Sequence, residues 1–287
     1  MGKGYFKRVL GMCSKRQLIF WWILRGLMIG GMIYTAVLFL KGTPYVEGGF
    51  NPHYKFNIST GEYELSLYNV LQMGANLVGL FAFEICQCFS EKRFPRYMPP
   101  YFQSVASICF VLASFGGAFL NFYYAIPAYD KILHLVGCVE AVFVCYEILC
   151  SIQLRDKTVC SPKIITMAAF GLAFVFAAGW ELFEFTTDQW FGFDAQHWSY
   201  MNALAEANAD SLDELFMLIP INHFSPEEQK MRFAIMDTMG DAILNALGAI
   251  PMYLILRKHP YRHMGDNNIN KKIEEELAKT NKENIVA

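Results

Sequence analysis

MDTMGDAILNALGAIPMYLIL, residues 236–256, is long and apolar enough to cross a bilayer, yet it carries Asp237, Asp241 and Asn245 at intervals of four. On a helix that spacing lines three polar side chains along one stripe, and Gly248 continues the stripe about one turn further. An ionised side chain at mid-bilayer costs roughly 2.5 to 3.5 kcal/mol on insertion scales, so each acid in such a segment needs a reason to be there.

The rest of the 287-residue chain has the same character. It is 54% hydrophobic and 16% aromatic with a positive mean hydropathy, which excludes an ordinary soluble domain. Six stretches approach or exceed the roughly 20 apolar residues that span a hydrocarbon core. They are residues 18–40, 68–89, 102–126, 131–154, 164–185 and 236–256. Because the bilayer core offers backbone groups no water, continuous apolar spans of this length must be helices. The expected fold is all-α: a polytopic integral membrane protein, one six-transmembrane-helix bundle over residues 18–256. A basic N-terminal segment, 1–17, precedes it and a tail, 257–287, follows. A long outer loop, 186–235, joins helices five and six.

The formal charge of −2 conceals an alternation between loops. Basic residues gather at Lys3, Lys7, Arg8, Lys15 and Arg16, at Lys92, Arg93 and Arg96, at Arg155, Lys157 and Lys163, and at Arg257, Lys258 and Arg262. By the positive-inside rule these four segments, both termini among them, are expected in the cytoplasm. The loop 186–235 carries Asp188, Asp194, Glu206, Asp210, Asp213, Glu214, Glu227 and Glu228 and is expected outside. That loop is too long for a simple connection, and its aromatic and apolar residues at helical intervals suit a surface-lying or capping segment as well as a linker. The segment from Lys271 is charged on all sides and suits a solvated helix or frayed tail.

The first span is too long for the apolar region of a signal peptide and is expected to stay as an anchor. No expected outer loop contains a cysteine, so a disulfide framework is not expected. Cys86 and Cys88 form a lone C-x-C, short of the four-ligand spacing of a zinc motif.

Three motifs fall at one depth once the topology is drawn. YDKILHLVG puts Asp130 at the start of span four with His134 one turn inward. GWELFEF puts Glu181 and Glu184 one turn apart at the end of span five, and DTMGDAILNALGA puts Asp237, Asp241 and Asn245 along the start of span six. Span four starts outside, span five ends outside and span six starts outside, so these groups can converge beneath the outer surface. So many carboxylates cannot remain ionised together in a low-dielectric pocket without compensation. Lys131 and His134 supply part of it. A divalent cation on Asp130, His134, Glu181, Glu184, Asp237 and Asp241, with Asn245 supporting, would supply the rest, and so would protons.

Blander readings stand beside this one. Asp130 and Asp237 can be N-caps, His134 can bond between helices, and the two glutamates can be solvated among headgroups. Capping does not account for Asp241, a turn further in. Elsewhere, Arg25 and Glu84 fall at comparable depth on adjacent antiparallel spans and are expected to pair. Gln72 and Asn76, and the deeper Glu140 and Glu147, can line a cavity or bond across helices.

The order D-K-x-x-H, then W-E-x-x-E, then D-T-x-x-D-x-x-x-N-x-x-G-A resembles the YjdF-like family of bacterial inner-membrane proteins. More distantly it resembles VanZ-like proteins, with their D-K-x-x-H, a later E-x-x-Q and a D-x-x-x-N-x-x-G helix. The resemblance covers Tyr129 to Pro251, and a long insertion between Glu184 and Asp237 departs from it. It implies a bacterial cytoplasmic membrane and, through VanZ, a loose link to glycopeptide tolerance at the envelope. It implies no reaction. Three functions are therefore expected in turn: a cation-dependent enzyme acting on a phosphate-bearing or lipid-linked envelope substrate, a proton- or cation-coupled transporter, and a non-catalytic membrane scaffold. The lipid bilayer is the expected partner, and nucleic acid is not.

Overall fold

A computed structural model describes residues 9–41, 45–47, 55–57, 62–64, 67–120, 122–126, 128–156, 158, 160–191, 196, 233–258, 275, 278 and 279. Among the described residues five helices are long and apolar enough to cross a membrane, or up to six spans if one bent helix pair is counted as a single span.

The first span is α1, Lys15–Leu40. It begins earlier than its apolar run because Ser14 caps it: the Gln17 N–H donates to Ser14 Oγ and the Ser14 N–H donates to Gln17 Oε1. After α1 come three three-residue strands, β1 Tyr45–Glu47, β2 Lys55–Asn57 and β3 Glu62–Glu64, antiparallel in the order β1-β3-β2. They are a small departure from the all-α expectation and lie outside the spans.

The second span, expected as one helix over 68–89, is two. Helix α2, Leu67–Gly79, and α3, Ala82–Cys88, meet at 53°. A bend inside a span frees backbone groups that lipid cannot satisfy, and side chains from the neighbours take them up. The Gln103 amide bridges the break, with Oε1 accepting from the Phe83 N–H at 2.8 Å and Nε2 donating to the Gly79 carbonyl at 3.4 Å. In an unbroken helix those two groups would bond each other. Arg25 donates to the Leu80 carbonyl from Nε at 3.0 Å and Nη2 at 2.6 Å. The same guanidinium pairs with Glu84 at 2.6 Å and lies 3.9 Å from the Phe81 ring centroid. The expected Arg25–Glu84 pair is present, with a second duty that its spacing did not announce.

The third span also departs from a uniform helix over 102–126. It is α4, Pro100–Val111, running into a π-helical stretch, Leu112–Phe119, followed by a separate short helix α5, Phe122–Ala125. The wider stretch carries Gly116 and Gly117, where added Cβ atoms would overlap Tyr129 and Tyr123. Tyr129 donates to the Leu112 carbonyl at 2.9 Å. Asn76 of α2 hydrogen-bonds Ser114 here, so it serves as a link across helices.

Helices α6, Tyr129–Asp156, α7, Pro162–Phe191, and α8, Phe233–Lys258, complete the bundle. They share one apolar core, in which Cys138, Val142, Cys145 and Tyr146 of α6 meet Ile165, Ala169 and Ala173 of α7 and Ala249 and Leu256 of α8. Two other cores lie among the first three spans: Trp21, Phe83, Met98 and Phe102 in one, Met28, Met73 and Leu80 in the other. Gly248 lets α8 approach α6 closely, since a Cβ there would overlap the Leu135 carbonyl oxygen. Because α7 continues to Phe191, the expected loop 186–235 begins later. Its surface-lying or capping role falls outside the described residues apart from Gln196, as most of the charged tail does.

Candidate functional site

The end of the bundle where α6 begins, α7 ends and α8 begins gathers every acid singled out in the three motifs. Tyr129, held by the π-helical stretch, fixes the first residue of α6, and the chain enters it through Ala128 at a φ of 59°. Asp130 and Lys131 follow at once, and His134 lies a turn on.

His134 is the hub. Its Nε2 lies 3.6 Å from Asp130 Oδ1 and 3.6 Å from Asp241 Oδ2. Its Nδ1 lies 3.6 Å from Glu181 Oε1 and 3.5 Å from Asn245 Nδ2. Among the described residues two groupings with metal-ligand spacing follow, Asp130–His134–Asp241 and His134–Glu181–Glu184, each with ligand atoms within 4.8 Å of one another.

Burial distinguishes the acids. Asp241 is 0% exposed, Glu181 7% and Glu184 8%, so the two glutamates are buried against the protein and not simply solvated. Asp130 and Asp237 are more open, with side chains 16% and 17% exposed. Asp237 sits in the second turn of α8, which begins at Phe233, so it is not an N-cap. Asp130 lies in the first turn of α6, where a carboxylate also favours the helix dipole.

Lys131 is the residue whose weight the sequence underplayed. It is 3% exposed, with Nζ 3.3 Å from Asp130, 2.9 Å from both Asp241 oxygens, and in a short contact with Asp237. Its hydrogen bond to Asp241 goes to Oδ2, and Asp241 Oδ1, though near, lies outside the bonding direction. The adjacent D-K pair opposite a D-x-x-x-D helix was the available signal. Asp237, expected among the cation ligands, is therefore joined to Lys131 and belongs to neither His134 grouping.

The glutamates are differently placed. Glu184 Oε1 accepts from Trp180 Nε1 at 2.7 Å, while among the described residues neither buried oxygen of Glu181 has a hydrogen-bond donor. Below them Asp188 accepts the Gln196 N–H at 3.0 Å, and Gln196 Nε2 donates to Thr238 Oγ1 at 2.9 Å. These links tie the chain beyond α7 to α8 beside the site. Asp188 continues the Glu181 and Glu184 face by one further turn, which was its signal; Gln196 had none.

Five carboxylates thus face one lysine and one histidine within a membrane-embedded bundle. A family of predicted membrane proteins, DUF2238, matches residues 65–261, from the second span to the end of α8. The chain belongs to the DUF2238 family. The match agrees with the YjdF-like resemblance and reaches further, taking in the second and third spans. No curated protein and no solved structure matches the chain. As a member of DUF2238 it is an integral membrane protein embedded in lipid, with a buried acidic and histidine cluster that no relative explains.

Proposed function

We propose that this DUF2238 protein holds a divalent cation in the cluster at the starts of α6 and α8 and the end of α7. The cation would serve an enzyme acting on a phosphate-bearing or lipid-linked substrate at the outer face of a bacterial cytoplasmic membrane. One observation carries the reading: the Glu181 carboxylate is buried with no hydrogen-bond donor on either oxygen, in ligand range of His134 and Glu184. Leaving a buried charge so placed is costly, and an oxygen-binding cation is the partner that the surroundings omit.

A cation there would polarise a phosphoryl oxygen and lower the pKa of a bound water. The chain's own groups do the remainder. Asp130 and Asp237 leave the site open at one end, His134 orients between the carboxylates, and the packed α6–α8 contact at Gly248 fixes the ligand-bearing helices against one another. Placement on the outer side rests on the Lys/Arg alternation of the loops.

Protein stripped of metal with chelator and offered a long-chain polyprenyl diphosphate in micelles should release phosphate only with added Mn²⁺ or Zn²⁺, and not after His134→Ala. Release indifferent to metal and to His134 would oppose the reading. A second reading, a proton- or cation-coupled transporter, draws on the Lys131 network joining α6 to α8. Proteoliposomes that carry cation or proton flux without phosphate release would favour it.

A further inference from the structure

One imidazole serves two groupings of ligands, and the distribution of positive charge decides which of them takes a cation. Around Lys131 Nζ stand Asp130, Asp237 and Asp241, from two helices. Carboxylates converging on one cationic atom are what a small bound cation looks like, except that this cation is tethered to α6. Among the described residues Glu181 and Glu184 have no such occupant: their side chains meet a neutral indole N–H and the His134 ring. His134 faces the two regions with different nitrogens.

We infer that the cluster is a two-cation site in which the Lys131 ammonium permanently fills the position among Asp130, Asp237 and Asp241, and one exchangeable divalent cation is held by Glu181, Glu184 and His134 Nδ1. The inference rests on the cation reading above and divides its residues into two roles. His134 Nε2 faces one oxygen each of Asp130 and Asp241 at 3.6 Å, surroundings that favour the proton on Nε2 and leave the Nδ1 lone pair for the metal. Asn245 lies beside Nδ1 and can turn its amide oxygen toward the same position. One imidazole nitrogen with two carboxylates selects Mn²⁺ or Zn²⁺ over Ca²⁺ and Mg²⁺, and three protein ligands leave room for water or substrate.

The full-length chain in detergent, first stripped of metal with chelator, is titrated with Mn²⁺, and the free ion is counted by its EPR signal. Wild type should bind one equivalent. Glu181→Gln should bind none, Asp237→Asn should keep one, and Asp241→Asn should keep one with affinity weakened about 10- to 100-fold, the usual effect of losing a carboxylate that orients a ligating histidine. Lys131→Met vacates the tethered cation's place and should bind two equivalents, its melting temperature rising more steeply with Mn²⁺ than that of wild type. Lys131→Met binding a single equivalent, or failing to fold even with Mn²⁺ present, would overturn the division. So would Asp237→Asn losing the ion while Glu181→Gln keeps it. Wild type that binds no Mn²⁺ would instead remove the cation reading itself, so the two failures are distinguishable.

Discussion

A buried acceptor without a donor costs about 1–3 kcal/mol and more when charged, and Glu181 has two such oxygens. That cost gives a signed prediction. In chelator, Glu181→Gln removes the uncompensated charge and should melt higher than wild type; with saturating Mn²⁺ the order should reverse. An order that ignores metal would mean that Glu181 is satisfied in some other way. Two glycines, one beside the site and one on α1, give a paired test of packing. Gly248→Ala drives a Cβ into the Leu135 backbone oxygen, which no rotamer change relieves, and should cost about 1–3 kcal/mol and weaken metal retention by parting α8 from α6. Gly30→Ala meets nothing within 4 Å and should be neutral or slightly stabilising, since alanine is the better helix former. Detergent melting of both variants checks this. The polar stripe of α8 was readable because a helix repeats every 3.6 residues and lipid makes acids conspicuous. The place of Lys131 was not, because which acids a long flexible side chain reaches depends on how helices pack.

Among the elements, the broken second span is the clearest case of structure exceeding sequence. Nothing in LVGLFAF, residues 77–83, announces a bend of 53°: it contains no proline, and apolar composition alone reads as a continuous helix. The answering residues lie on other spans, Gln103 on α4 and Arg25 on α1, at sequence separations that no periodicity reveals. Gln103→Leu should therefore destabilise the protein by about 1–3 kcal/mol, because the Phe83 N–H and Gly79 carbonyl lose their shared bridge. Denaturation in mixed micelles measures it, and an unchanged midpoint would show that the break closes into ordinary helix. For the pair, Arg25→Ala should harm stability more than Glu84→Ala, since Arg25 also serves the Leu80 carbonyl. Adding Glu84→Ala should recover only part of the loss from Arg25→Ala. Strictly additive losses would contradict a coupled pair.

Over the whole molecule, hydropathy anticipated the five long apolar helices, because the bilayer imposes a length and forbids unpaired backbone. Helix ends were less legible: α7 runs on to Phe191 because Thr187 and Asp188 are buried there as polar residues, which hydropathy scores as loop. Orientation follows from charge alone, and reporter fusions after Lys92 and within residues 202–211 should fall in opposite compartments. The same compartment for both would end the six-span topology and the outward-facing site together. The central claim is that α6, α7 and α8 exist in this arrangement to hold a metal ion. Elemental analysis of wild-type protein purified without chelator tests it most directly. The account predicts one divalent cation per chain, absent from a folded His134→Ala variant; wild type carrying no metal would contradict it.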